Sequence, residues 1–168
     1  EKQKRNNIVF CVPSGNFGNL TAGIFAKRLG LQYKKMIAAT NRNNVVPRYL
    51  VTGSYDPVPS FTTISNAMDV GNPSNFRRME DLYDGPVDKM SEDIEAYYCS
   101  NSETKESMIA VKKNYGYIAD PHGAVGFLAC ERYMSKDDKS TLINLETAHP
   151  AKFLDVMESV NINVVIPE

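Results

Sequence analysis

The sequence predicts an α/β fold built on parallel strands, and three adjacent segments carry that prediction. "NIVFCVP" (7–13) is a short, continuously apolar run, the pattern of a strand covered on both faces. "LTAGIFAKRLG" (20–30) reads as a helix, with Lys27 and Arg28 in its last turn and Gly30 at its stop. "KKMIAAT" (34–40) is a second strand, so strand, helix and strand follow within about 35 residues, the length of a βαβ unit.

The later elements follow in order. "NNVVPRYLVTG" (43–53) predicts a brief helix entered at Asn43 or Asn44. Residues 54–88 are rich in Pro, Gly, Ser and Asn, and predict a long functional loop followed by a short helix from about Pro73 to Tyr83. "SEDIEAYYCS" (91–100) and "SETKESMIAVKKNYG" (102–116) predict helices, the second closed by Gly116. "DPHGAVGFLACERYM" (120–134) predicts a helix with Asp120 as N-cap and Pro121 in the first helical position. "TLINLE" (141–146) is a strand, and "HPAKFLDVMESV" (149–160) a helix with Phe153, Val156, Met157 and Val160 on one face. There are no repeats, low-complexity tracts or dividing linkers.

Composition excludes several classes of function. A hydrophobic content of 42% is enough for a real core, and a net charge of -1 gives no reason to expect nucleic acid. No apolar run reaches the roughly 20 residues of a membrane span, and "EKQKRNN" lacks the apolar core of a secretory signal. Cys11, Cys99 and Cys130 are odd in number, lack metal-site spacing and read as reduced, buried thiols of a cytoplasmic protein; no metal is expected. Charge is nonetheless uneven. After Glu1 no acid occurs until Asp56, while Lys27, Arg28, Lys34, Lys35, Arg42 and Arg48 fall in between, a bias toward an anionic ligand. Lys27, Arg28, Lys34 and Lys35 are read as solvating a helix end.

Between the first strand and helix lies "SGNFGN" (14–19). Ser14–Asn19 can turn successive backbone N–H groups inward with a helix N-terminus behind them, a ready anion site. Gly15 and Gly18 would permit close approach and unusual dihedrals. The P-loop and dinucleotide patterns do not fit, and no acid follows to hold a ribose, so a phosphate group is favoured over a dinucleotide. Spacing alone leaves a simple glycine turn as the alternative.

"PSGNFGN" resembles the phosphate-cradling loop of fold-type-II pyridoxal-phosphate enzymes. With "AATNRNNVVPRYL", "SNAMDVGNPSNFRR", "DPHGAVG" and "LETAHPAKF", in the same order, nearly the whole chain resembles the C-terminal half of threonine synthase. The resemblance implies a three-layer, parallel-sheet α/β domain of the tryptophan-synthase-β-like kind, here partial, with residues 1–168 as the C-terminal part of the pyridoxal-phosphate-binding catalytic domain. It implies pyridoxal phosphate as cofactor, its phosphate held by Gly15, Asn16, Phe17, Gly18 and Asn19, and Thr147 with its hydroxyl facing the pyridine nitrogen. The implied activity is that of a lyase: O-phosphohomoserine and water become threonine and phosphate by β,γ-replacement, the last step of threonine biosynthesis.

One departure qualifies the resemblance. The family's Schiff-base lysine lies well upstream of the glycine loop, where this chain has only Lys2 and Lys4 in a polar leader. Lys152 is not the aldimine lysine of the family and reads as a helix-surface residue. The chain is therefore expected to be a fragment, inactive alone, whose partner is the N-terminal half of the same enzyme. The alternative is a non-catalytic phosphate-binding or regulatory module.

Arg48, with Asn41 and Asn44, follows the second strand, where a parallel sheet faces its ligand crevice; an Arg fork there suits a substrate phosphate. Loop scaffolding is the competing reading, and Asn66, Asn72 and Ser74 are weaker candidates. His122 and His149 read as turn-stabilising residues before acid–base ones, and Asp69 and Asp120 as turn or cap residues.

Overall fold

The computed structural model describes residues 7–84, 87–137 and 139–166. The leader bearing Lys2 and Lys4 lies outside them. Four parallel strands form one sheet in the order β3-β2-β1-β4: β1 (Ile8–Pro13), β2 (Lys35–Thr40), β3 (Ile94–Tyr98) and β4 (Thr141–Asn144). In register, Cys11 of β1 pairs with Ile37 of β2 and with Asn144 of β4.

Seven α-helices surround the sheet among the described residues: α1 (Gly18–Arg28), α2 (Val45–Thr52), α3 (Phe76–Tyr83), α4 (Val87–Asp93), α5 (Asn101–Tyr115), α6 (Pro121–Met134) and α7 (Leu154–Ser159). Strand alternation sorts the core into two faces. Phe10, Val12, Met36, Ala38 and Ile94 point toward Leu20 and Ile24 of α1 and Phe76 and Met79 of α3. Val9, Cys11, Ile37 and Ala39 point the other way, against Val125, Ala129 and Cys130 of α6. Helices on both faces of a parallel sheet give three layers, and the continuous apolar runs of β1 and β2 follow from burial on both sides. A third cluster joins α5, α6 and α7 through Met108, Ala124 and Met157.

Helix ends carry their own signals. Ser100 caps α5 through a reciprocal capping box with Glu103, and Gly116 closes it in the left-handed region at φ 68°. Asp120 caps α6 by accepting from the N–H groups of His122 and Gly123, with Pro121 in the first turn.

Two elements depart from the sequence expectation. "SEDIEAYYCS" is not a helix: α4 ends at Asp93, and Ile94–Tyr98 is the edge strand β3, paired with β2 from Met36↔Ile94 to Thr40↔Tyr98. The Glu and Ala residues favour a helix locally. The sheet edge offered by β2 overrides them, because Ile94 reaches the core at 2% exposure and Tyr97 packs on the opposite cluster. "HPAKFLDVMESV" is likewise split, into a 3-10 turn at Pro150–Phe153 and then α7, with Val156, Met157 and Val160 buried as expected.

Candidate functional site

The site begins where β1 stops. Pro13 ends the strand, and the Ser14 N–H donates to the Ala39 carbonyl at 2.8 Å. The chain then turns through Gly15, Asn16 and Phe17 into α1. Among the described residues, no acceptor meets the backbone N–H groups of Gly15, Asn16, Phe17, Gly18 or Asn19. The first turn of α1 contains no acid, so these donors and the helix dipole share one sign of field. The expectation for Ser14 is corrected: its N–H extends the β1–β2 ladder and is not available to a ligand.

The unusual dihedrals also fall elsewhere than expected. Phe17, not a glycine, takes the left-handed conformation at φ 61° and ψ 19°. Its ring is buried in the core beside Val12 and Leu20, and that packing holds a backbone state disfavoured for a bulky residue. Both the N–H and the hydroxyl of Thr21 donate to the Phe17 carbonyl, at 2.9 and 2.7 Å. Gly15 is needed for close approach, since a methyl there would stand 2.5 Å from the Met68 α-carbon. At Gly18 the nearest atom to such a methyl is Asn75 Nδ2, 3.6 Å away, so no comparable restriction exists.

Two chain segments wall the loop. Ser74 donates to Asn16 Oδ1 through both its N–H (2.7 Å) and its hydroxyl (3.1 Å), and Asn75 Nδ2 donates to the Asn16 carbonyl at 2.8 Å. A hollow of about 520 Å³ borders this contact, lined by Tyr55, Asn72, Ser74, Phe76, Arg77 and Glu80 among others. On the other side a buried polar network centres on Asp69. Asp69 Oδ1 accepts from Asn41 Nδ2 (2.8 Å), Thr63 Oγ1 (2.7 Å) and Asn43 Nδ2 (3.2 Å), while Oδ2 accepts from the Thr63 N–H (2.9 Å). Asn43 also exchanges bonds with both backbone groups of Phe61. The loop from 61 to 69 is thereby fastened to the end of β2.

The residues expected at a substrate phosphate differ in how far their polar groups are already committed. Asn41 is 1% exposed and its amide is committed to Asp69, Thr63 and Ser65, which makes it scaffold. Arg48 is exposed and directs one N–H to the Asp56 carbonyl at 2.8 Å, keeping its other donors. Asn44 sits half-buried at the start of α2 without a side-chain cap bond. Asn66 is exposed, and Asn72 accepts from the Tyr55 hydroxyl.

Thr147 lies exposed in the turn after β4, and Lys152 is exposed nearby. The cap of the Pro150–Phe153 turn is His149, whose Nδ1 accepts from the Ala151 N–H at 3.2 Å, so Thr147 is not needed for capping. Beside Thr147, Glu146 faces the Asp120 carboxyl across Gly123. Burial and the neighbouring Asp120 carboxyl push Glu146 up to about 8. Burial would raise Asp120 too, but hydrogen bonds from His122 and Glu146 outweigh it and hold Asp120 below its ordinary range.

Sequence reasoning missed Asp69 as a network centre and Glu146 as a partner of Asp120. The Asn-rich "TNRNN" was a signal that a carboxylate should be sought, but not which one. The three cysteines, distant in sequence, gather around the α6 face of the sheet as buried free thiols, and burial raises Cys11. Among the described residues no cluster suits a metal ion, and no helix is long and apolar enough to cross a membrane.

Comparison with known proteins reaches the same region of fold space. Residues 123–168 match the family described as "Threonine synthase, C-terminal". The chain is 44% identical over 168 residues to threonine synthase of Haemophilus influenzae, covering 99% of this chain and 39% of that protein. The crystal structure of threonine synthase from Escherichia coli superposes with a TM-score of 0.87 at 38% identity, covering 100% of this chain and 39% of that one. A pyridoxal-phosphate-bound threonine synthase from Brucella melitensis gives 0.83 at 30% identity, over 91% of this chain and 38% of that one. The chain thus spans about two fifths of the length of the relatives it matches.

Proposed function

We propose, for a chain that corresponds in sequence and fold to the C-terminal portion of the fold-type-II threonine synthases, that it supplies the phosphate-holding part of a pyridoxal-phosphate-dependent lyase. The whole enzyme would convert O-phosphohomoserine and water to threonine and phosphate. Residues 1–168 would form the C-terminal part of its catalytic domain, and the remaining length of the relatives would carry the lysine that bonds the cofactor.

The observation that carries this reading is the row of backbone donors from Gly15 to Asn19, without acceptors, at the acid-free N-terminus of α1. A phosphate dianion satisfies several such donors at once and matches the dipole. Gly15 lets the loop backbone lie against that of Met68, and Phe17, buried in the core, anchors the turn from behind. Asn16, held by Ser74 and Asn75, fixes the rim. Thr147 is assigned to the pyridine nitrogen: a neutral hydroxyl there bonds the ring without forcing its protonation, as a carboxylate would. When bound, pyridoxal phosphate supplies an electron sink for charge developing next to the substrate amine. Arg48 and Asn44 are assigned to the substrate's phosphate, where a planar guanidinium can offer paired donors; Asn41, bonded to Asp69, holds the end of β2 that precedes them.

The test is made on the full-length protein: cofactor affinity, and release of phosphate from O-phosphohomoserine. Gly15→Ala should weaken both without abolishing either. A wild-type protein that binds pyridoxal phosphate and inorganic phosphate but never acts on O-phosphohomoserine would leave only a phosphate-binding module.

A further inference from the structure

We propose that His122 is a positioning residue for the anion loop: by accepting the Ala67 N–H it fixes the backbone on which Gly15 rests. The inference rests on reading that loop as an anion site.

Three contacts make the path. His122 lies in the first turn of α6, 5% exposed, with its ring 4.9 Å from that of Phe153. Its Nε2 stands 3.2 Å from the Ala67 nitrogen, and its Nδ1 stands 2.6 Å from Asp120 Oδ1. A backbone N–H can only donate, so Nε2 is the acceptor and the ring proton sits on Nδ1, facing the carboxylate. Asp120 is fully buried and is held in place by the N–H of His122 itself at 2.9 Å. The carboxylate therefore selects the tautomer that can hold Ala67.

Ala67 belongs to the 3-10 turn Asn66–Met68, which lies directly against the loop. A methyl built on Gly15 would come within 2.5 Å of the Met68 α-carbon, 3.0 Å of its carbonyl carbon and 3.1 Å of the Ala67 oxygen. Backbone against backbone leaves no slack to absorb a shift. The turn is pinned from its far end by the Asp69 network and from its near end by His122. Helix α6 packs on all four strands, so His122 refers the position of the loop to the rigid centre of the fold.

The decisive measurement uses the full-length enzyme, with affinity for pyridoxal phosphate and, in the cofactor-free form, for inorganic phosphate. Loss of one hydrogen bond's net worth predicts that His122→Ala weakens both by about three- to ten-fold. His122→Asn, which can still face Asp120 but is too short to reach Ala67, should weaken them equally. His122→Gln, whose amide oxygen can occupy the Nε2 position, should recover most of the affinity. If His122→Ala does not fold, the Asn and Gln variants carry the comparison. In a Gly15→Ala background, where the contact with Met68 is already broken, removing His122 should add little. Wild-type affinity in the Asn variant would overturn the positioning role while leaving the loop an anion site. Equal losses in Asn and Gln, additive with Gly15→Ala, would make His122 merely structural and overturn it as well. Failure of the wild-type protein to bind either anion would remove the loop reading and this inference together.

Discussion

The side-chain amide of Asn41 and the carboxylate of Asp69 meet at 2.8 Å, joining the end of β2 to a turn 28 residues later. Thr63 and Asn43 complete the set of donors on the same carboxylate. Asp69→Ala would leave several donors without an acceptor, each a cost larger than the net gain of the bond it made. The expected loss is about 3 kcal/mol, read as a lowered midpoint in thermal or denaturant unfolding. Asp69→Asn should lose less. Equal stability of Asp69→Ala and wild type would show that the network does not fasten the loop.

The two loop glycines should behave differently under the same substitution. Gly15→Ala drives a methyl into the Met68 backbone and should cost anion affinity. Gly18→Ala meets only an ordinary contact with Asn75 Nδ2, without a left-handed φ, and should be neutral or stabilising by up to about 1 kcal/mol through a less flexible unfolded chain. Measuring phosphate affinity and thermal midpoint on both variants checks the contrast; equal losses would contradict it.

Thr147 and His149 separate ligand chemistry from capping. Thr147 makes no cap, so Thr147→Val should leave stability within about 0.5 kcal/mol while weakening cofactor binding in the full-length protein by about 0.5–1.5 kcal/mol. His149→Ala removes the acceptor for the Ala151 N–H and should lower stability by about 1 kcal/mol. A Thr147 variant that loses stability but keeps its cofactor affinity would reassign the residue to the fold.

Glu146 predicts a pH dependence. Its carboxyl is raised from 4.5 to about 8 by burial and by Asp120, so across that window the folded protein holds a proton that the unfolded chain has released. Stability therefore falls as pH rises from about 5 to 8. The carboxyl is shielded against Asp120 while the residue as a whole keeps solvent contact, which limits the contribution to about 1 kcal/mol. Glu146→Gln should flatten the stability profile over this range and raise stability at pH 8 relative to wild type. A parallel profile for the two proteins would refute the assignment.

How far the fold was legible follows the reach of each signal. β1, the glycine loop and α1 are written in adjacent residues, as are the Asp120 cap and the Gly116 stop, and these local signals agree with the structure. β3 was misread because its identity depends on β2, more than fifty residues away, offering an edge. The left-handed residue was expected at a glycine because spacing cannot show that Phe17 is held by the core. The positions of Asn41 and Asp69 likewise become meaningful only once the long loop folds back.

That folding back has a consequence in time. Asn16 is fixed by Ser74, 58 residues downstream, and Gly15 rests on Met68. A ribosome that has released Asn16 must add those residues before its support exists, roughly 3–12 s at ordinary synthesis rates. The nascent loop spends that interval without a defined shape, and pairing over such separations closes late and slowly. Ligand recognition thus waits on residues made well after the loop itself.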